Sequence, residues 1–119
     1  MRRIAVVTGT RADFGLLCRP ILLLQQQPAI ETVIFACGTH LSPEYGLTIT
    51  ELEESGIKNI VPIEMLLSSN SKVGVAKSTG LATISFADAF ASHNLDCLLV
   101  LGDRFEIFAA AQAALFLGI

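Results

Sequence analysis

Asp103, Arg104 and Glu106 follow an apolar run, Cys97–Leu101, that ends at Gly102. In an open α/β sheet, ligands sit in the crevice outside the carboxyl ends of the strands. A carboxylate beside a guanidinium at such a strand end is therefore placed for chemistry on an anionic substrate. The same stretch, Asp103-x-x-Glu106, also matches a capping box that would open the Ala-rich segment after it. The two roles are compatible, and these residues alone leave both open.

A second candidate lies near the start of the chain, in Gly9-Thr10-Arg11-Ala12-Asp13-Phe14-Gly15. It is not the G-x-G-x-x-G of a dinucleotide site, and no acidic residue ends the second apolar run to hold a ribose. Nor is it a P-loop, since G-x-x-x-x-G-K-[ST] fails after the first glycine. It does offer a helix start with backbone amides, the positive end of a helix dipole, and Arg11 beside it, a combination suited to a phosphate. The competing reading is a Thr10-x-x-Asp13 capping box with Arg11 solvated. His40, in Gly38-Thr39-His40-Leu41, is either a polar surface group, as lone loop histidines commonly are, or part of the site. His93, in the polar Ser92-His93-Asn94 turn, reads as solvated, and Tyr45 as packing. Cys18, Cys37 and Cys97 are odd in number and widely spaced, which argues against a disulfide framework and a zinc site. All three read as structural, with Cys37 and Cys97 small buried residues at strand ends.

The elements that must position these residues follow from pattern. Ile4–Thr8 reads as a strand. A helix from about Ala12 to Gln27 follows, with Phe14, Leu17, Ile21 and Leu24 on one face. Pro20 should kink it and Pro28 stop it. Thr32–Cys37 is a second strand. Ser42-Pro43 resembles an N-cap with proline at N1, and a short helix, about Leu47–Ser55, ends at Gly56. Ile57–Ile63 is a third strand, with Pro62 arguing for an edge. A polar loop, Glu64–Lys72, precedes a helix over Val73–Ser92 through Val73, Leu81, Ile84 and the Phe86/Phe90 pair, in which Gly74 and Gly80 would allow close packing. Cys97–Leu101 is a fourth strand, and a fourth helix runs from near Arg104 to Ile119. Strands alternating with helices imply an α/β, Rossmann-like parallel sheet, with strand order 3-2-1-4. Strands one and four would then flank the topological switch, so that Arg11, Asp13, Asp103 and Arg104 converge with His40 nearby. The apolar last helix, with no strand after it, implies a chain of one domain, residues 1–119, that stops inside a larger one.

At 119 residues the chain is 52% hydrophobic and 16% charged, more apolar than a typical soluble domain. The excess suits strands covered on both faces. A net charge of −3 without a basic cluster argues against nucleic acid. The apolar stretches are too short for a signal peptide or a membrane span, so the expectation is a soluble, cytoplasmic protein without membrane contact. A phosphoacceptor receiver is disfavoured, because the first strand ends in Thr8-Gly9 and not in a carboxylate cluster.

The motifs Gly9–Gly15, Gly38-Thr-His-Leu-Ser-Pro-Glu-Tyr-Gly46 and Leu101-Gly-Asp-Arg-Phe-Glu-Ile-Phe108, in this order and at this spacing, resemble the hydrolysing UDP-N-acetylglucosamine 2-epimerases. The resemblance is closest to the branch that makes N-acetylmannosamine for sialic acid synthesis, and it covers essentially the whole chain. It implies the incomplete N-terminal domain of a two-domain, GT-B-like enzyme, with the second domain absent from this chain and the chain inactive alone. Leu16 stands where some relatives carry lysine. The implied partner is a UDP-sugar, with no cofactor and no metal, in an enzyme that is a homo-oligomer at full length. The resemblance makes Asp103 the proton-transferring catalytic residue, sets Arg11 on the phosphates, gives Arg104 an orienting role and lets His40 line the pocket. Asp13 and Glu106 become supporting or capping residues. Two alternatives share the pattern: an epimerase of a UDP-diacetamido-trideoxyhexose from the legionaminic acid pathway, and a non-catalytic nucleotide-binding module.

Overall fold

The computed structural model describes residues 1–41, 49–64 and 71–119. Strands β1 (Arg2–Thr8), β2 (Ile30–Ala36), β3 (Ile60–Pro62) and β4 (Cys97–Leu99) form one sheet in the order β3-β2-β1-β4. Every pairing is parallel, with Thr8 opposite Ala36 at the end of the central pair and Val6 opposite Leu99. The expected order 3-2-1-4 is the one observed. Helices α1 (Arg11–Gln25), α2 (Ile49–Glu54), α3 (Lys72–Ala91) and α4 (Phe105–Phe116) complete the alternation.

Both faces of the sheet are covered, as the apolar composition requires. Alternation along β1 sends Ala5 and Val7 to one face and Val6 to the other. Ala5 and Val7 join Val33, Phe35, Phe86, Phe90, Ile107 and Ala110 beneath α3 and α4. Phe35 and Phe90 meet edge to face at 5.2 Å, a geometry that adds to their burial. Val6 joins Ile34, Ala36, Phe14, Leu17, Ile21 and Leu52 beneath α1 and α2. The two cores pin the central strands, so the loops at their carboxyl ends start from fixed points.

Several details depart from the pattern. Helix α1 runs unbroken through Pro20, which lies on its exposed side, where the carbonyl left without a donor can meet water. The third strand is shorter than Ile57–Ile63, because Asn59 adopts φ +61°, outside the extended range. Gly56, at φ +87°, sits two residues beyond α2 as the C′ residue. The Ser42-Pro43 cap, Tyr45 and most of the Glu64–Lys72 loop lie outside the described residues.

Helix α3 buries Gly74, Ser78, Ala82, Phe86 and Phe90, a stripe every four residues, and leaves Val73 and Ile84 outside. Small residues at the front of that stripe let the helix approach its neighbours closely. Gly80 lies off the stripe, with nothing within 4 Å of the place a side chain would occupy, so it does not serve close packing. Cys97 is exposed and not buried, because β4 is an edge strand that pairs on one side only, with β1. Among the described residues no helix is long and apolar enough to cross a membrane.

Helix α4 is apolar on both sides. Its inner face packs against α3 and the sheet, while Phe108, Leu115 and Phe116 are 60%, 71% and 81% exposed. With Leu99 and Leu101 exposed near the β4 edge, these residues give more apolar surface than a stable monomer ordinarily shows. The 119-residue chain by itself is therefore expected to self-associate and to bind a hydrophobic dye. Light scattering at rising concentration checks this, and a monodisperse, dye-silent monomer would contradict it.

Candidate functional site

The site forms where β1 and β2 end and α1 and α4 begin. Thr8, the last residue of β1, has no solvent exposure. Two residues later Thr10, at φ −142° and ψ 160°, is the N-cap of α1. Its Oγ1 accepts from the Asp13 N–H at 3.1 Å, and Asp13 Oδ2 accepts from the Thr10 N–H at 3.0 Å, so the capping box forms. The same Oδ2 also accepts from the Gly9 N–H at 3.1 Å and the Thr10 hydroxyl at 3.1 Å. Asp13 Oδ1 accepts from the Thr8 hydroxyl. Four donors thus converge on one carboxylate at the positive end of a helix, where a negative charge is favoured.

This arrangement narrows the anion-binding expectation. The Gly9 and Thr10 amides are taken by Asp13. The amides of Arg11 and Ala12, in the first turn of α1, have no carbonyl of their own helix to bond and are the ones a phosphate would meet. The Arg11 guanidinium lies 2.6 Å from Glu51 of α2. Both side chains are well exposed, so the pair is worth at most about 1 kcal/mol and yields readily.

The segment after β2 folds back over this turn. The Cys37 N–H reaches the Thr8 carbonyl at 3.0 Å, one step beyond the paired strands. A 3-10 turn, Gly38–Leu41, follows. Gly38 has φ +60°, and a Cβ there would lie 2.8 Å from the Gly9 carbonyl oxygen and 3.3 Å from Glu106 Oε1. Only glycine permits both the conformation and the approach.

The turn buries His40 completely, contrary to its reading as a surface group. Its ring packs edge-on against Phe14 at 6.2 Å, and Nε2 lies 2.9 Å from Thr8 Oγ1. Burial lowers the imidazole pKa and outweighs the opposing pull of Asp13, Glu51 and a hydrogen bond to the Thr10 backbone, while Arg11 adds to the lowering. Burial, with Glu106 and Asp13 acting in the same sense, pushes the Cys37 thiol far up, which makes it inert packing. His93 is half-buried, not solvated, with its ring 5.3 Å edge-on from Phe35 and its carbonyl accepting from Arg3.

At the end of β4, Gly102 turns at φ +102°, and the N-cap of α4 is Arg104, with no side-chain cap bond. The Asp103-x-x-Glu106 capping box therefore does not form. Glu106, 2% exposed, turns inward beside Gly9 and Gly38 and away from the helix start. There it accepts from Arg104 in a two-point fork, Nε to Oε2 at 3.0 Å and Nη2 to Oε1 at 3.1 Å. The Asp103 carboxylate is exposed, and among the described residues no hydrogen bond or ion pair engages it. Asp13 and His40 are thus brought together through Thr8, and Glu106 is brought under Gly9 and Gly38. No hydrogen bond or ion pair joins Asp103 to Arg11 or Asp13. Thr8 and Gly38, which hold the loops together, were not singled out from the sequence. A polar residue closing an apolar strand just before a glycine was the available signal for Thr8. Among the described residues no group of three or more His, Cys, Asp or Glu could hold a metal ion.

The family profile described as UDP-N-acetylglucosamine 2-epimerase matches residues 23–119, and the chain belongs to that family. The chain is 37% identical over 118 residues to the GDP/UDP-N,N′-diacetylbacillosamine 2-epimerase (hydrolyzing) of Campylobacter jejuni, covering 99% of this chain and 30% of the relative. It is 38% identical over 121 residues to the UDP-N,N′-diacetylbacillosamine 2-epimerase (hydrolyzing) of Legionella pneumophila, covering 100% of this chain and 32% of the relative. The fold superposes on the UDP-GlcNAc 2-epimerase of Neisseria meningitidis, solved bound to UDP-GlcNAc, with a TM-score of 0.81 at 24% identity, over 100% of this chain and 30% of that one. The sheet and its helices therefore have the fold of one part of these GT-B-type enzymes, and the chain spans 30–32% of the length of the relatives it matches.

Two measurements probe the geometry. Gly38→Ala should cost at least about 2 kcal/mol, from a left-handed φ plus the clash with the Gly9 carbonyl. Gly15→Ala, in α1 with nothing within 4 Å, should gain about 0.5–1 kcal/mol. Denaturation midpoints of the two variants should move in opposite directions. The lowered His40 pKa also gives a sign: below its ordinary value of 6.5, the unfolded chain binds a proton that the folded chain refuses. Stability should therefore fall as pH drops through that value and level off once the folded pKa is passed. His40→Gln should flatten this slope between pH 7.5 and 5.5.

Proposed function

We propose that the family-length protein carrying this chain is a hydrolysing 2-epimerase of a UDP-linked 2-acetamido sugar. The observation that carries the reading is the family match over residues 23–119, falling on a fold whose strand ends present Arg11, Asp103 and Arg104. In the reaction, the C2–H bond breaks and its electron pair forms C1=C2 as the C1–O bond to UDP breaks, leaving a glycal. Water then adds its oxygen to C1 and a proton to C2 on the opposite face, releasing the epimerised sugar and UDP.

Each step asks for something these residues offer. The departing diphosphate carries charge that needs fixed donors. The Arg11 side chain and the first-turn amides of Arg11 and Ala12 would supply them. The proton at carbon needs a positioned carboxylate with uncommitted lone pairs, the role assigned to Asp103. Arg104, forked onto Glu106, would orient the sugar-phosphate beside Asp103. His40, buried, would act on the loops and not on the substrate, and Asp13 and Glu106 would support the groups that touch it.

Two relatives at 37% and 38% identity bear the name of the diacetamido-trideoxy sugar, which favours UDP-N,N′-diacetylbacillosamine as substrate. The second reading, UDP-N-acetylglucosamine with N-acetylmannosamine as product, draws on the family description. Incubating the family-length protein with each nucleotide sugar, and identifying the free sugar released with UDP, separates the two. Release of UDP from neither would refute the reading.

Asp103→Asn should leave stability within about 0.5 kcal/mol, because the side chain is exposed and caps nothing. It should lower turnover roughly 100-fold or more, the scale of losing general acid–base catalysis, and spare UDP affinity. Arg11→Met should do the reverse in part, weakening UDP binding by roughly tenfold or more through a lost charged hydrogen bond. Turnover and UDP calorimetry on both variants decide.

A further inference from the structure

We infer that Thr8 is a positioning residue for the diphosphate-binding turn, acting through Asp13 and His40; this rests on the functional reading above. Thr8 has no solvent exposure, so it cannot itself touch substrate. The volume it fills at the end of β1 would suit valine equally well, and the residues before it, Ile4–Val7, are all apolar. What valine lacks is the hydroxyl, and the hydroxyl is where two loops meet.

One hydroxyl carries one proton. The Asp13 carboxylate can only accept, so Thr8 donates to Asp13 Oδ1, and its oxygen is left to accept from His40 Nε2, 2.9 Å away, in the tautomer that carries the ring proton there. In that tautomer the chain runs in one direction, from His40 through Thr8 to Asp13, and it competes for the ring proton with the hydrogen bond between His40 and the Thr10 backbone. The other Asp13 oxygen holds the amides of Gly9 and Thr10 at 3.1 and 3.0 Å. The orientation of the next two amides, Arg11 and Ala12, therefore follows from where Asp13 sits. On the opposite side, the Thr8 carbonyl holds Cys37 N–H at 3.0 Å, immediately before Gly38. A single residue thereby sets the first turn of α1 against the 3-10 turn after β2.

Losing the hydroxyl leaves the Thr10–Asp13 capping box in place, so helix α1 keeps its start while the turn loses its reference point. In the family-length protein, Thr8→Val is expected to weaken UDP binding and lower kcat/KM by roughly tenfold each, the scale of one hydrogen bond to a charged group. Thr8→Ser, which restores the hydroxyl without the methyl, should return both to within about twofold of wild type. His40→Gln added to Thr8→Val should cost little more than Thr8→Val alone, since the two act in series. Nitrogen-15 NMR of histidine-labelled wild type should show a slowly exchanging proton on His40 Nε2, a readout that needs no variant to fold. Wild-type affinity and turnover in Thr8→Val, a Thr8→Ser protein as impaired as Thr8→Val, or an Nε2 without a proton would each overturn the positioning role. A wild-type protein that binds no UDP would instead overturn the functional reading, and this role with it.

Discussion

The Asp13 carboxylate, accepting from Thr8, Gly9 and Thr10 at once, is the contact on which the arrangement of the strand ends rests. A parallel sheet brings β1 and β2 side by side in register, yet it leaves the chain free to leave each strand in many directions. Asp13 removes that freedom for β1, since it binds the two residues that leave the strand and caps the helix that receives them. Thr8 and His40 extend the same constraint to β2. Gly38 and Gly9 then approach closely enough for Glu106 to fit beside them, and Glu106 in turn fixes Arg104. The order of dependence runs from a capping interaction to the placement of a guanidinium across the sheet.

Such a site is expensive to build inside an apolar protein. Thr8, His40 and Glu106 are each 2% exposed or less, and a buried polar group without a partner costs roughly 1–3 kcal/mol by mutational measures. Every one of them has a partner, and among the described residues no buried side-chain nitrogen or oxygen lacks one. An ion pair with one partner buried and the other half exposed is itself weak evidence of stabilisation, because solvent screens the attraction and desolvation of Glu106 offsets it. The Arg104–Glu106 fork is better understood as fixing geometry. The two apolar cores on either side of the sheet supply the stability that lets these polar groups be held in place.

The sheet was legible because its signals are local and redundant: apolar runs such as Ile4–Val7 closed by glycine, and the Phe14, Leu17, Ile21 face of α1. The Thr10-x-x-Asp13 box was legible for the same reason, since N-cap and N3 lie within one turn. The errors fall where the deciding contact is distant in sequence. Nothing near His40 announces that a threonine 32 residues earlier will bury it. Asp103-x-x-Glu106 has the spacing of a capping box. The space beside Gly9 and Gly38 nevertheless draws Glu106 inward, and Arg104 in place of Asp103 becomes the N-cap. On α3 the apolar residues Val73 and Ile84 suggested one face, while tertiary packing selected the small-residue stripe of Gly74, Ser78 and Ala82.

Two similar tetrapeptides, each opening a helix after a parallel strand, thus end in opposite ways, and the contrast separates their carboxylates by role. Asp13 accepts on both oxygens, from donors on three residues, and is held inside its own turn. Asp103 sits one residue outside its helix, exposed, with none of its lone pairs engaged among the described residues. A carboxylate proposed to move a proton on carbon must present free lone pairs to a substrate that arrives from solvent. Had the α4 box closed as the α1 box does, Asp103 would have been spent on the helix start. The inward pull of Glu106 prevents this. The same packing that ties Arg104 to the strand ends leaves the neighbouring aspartate available.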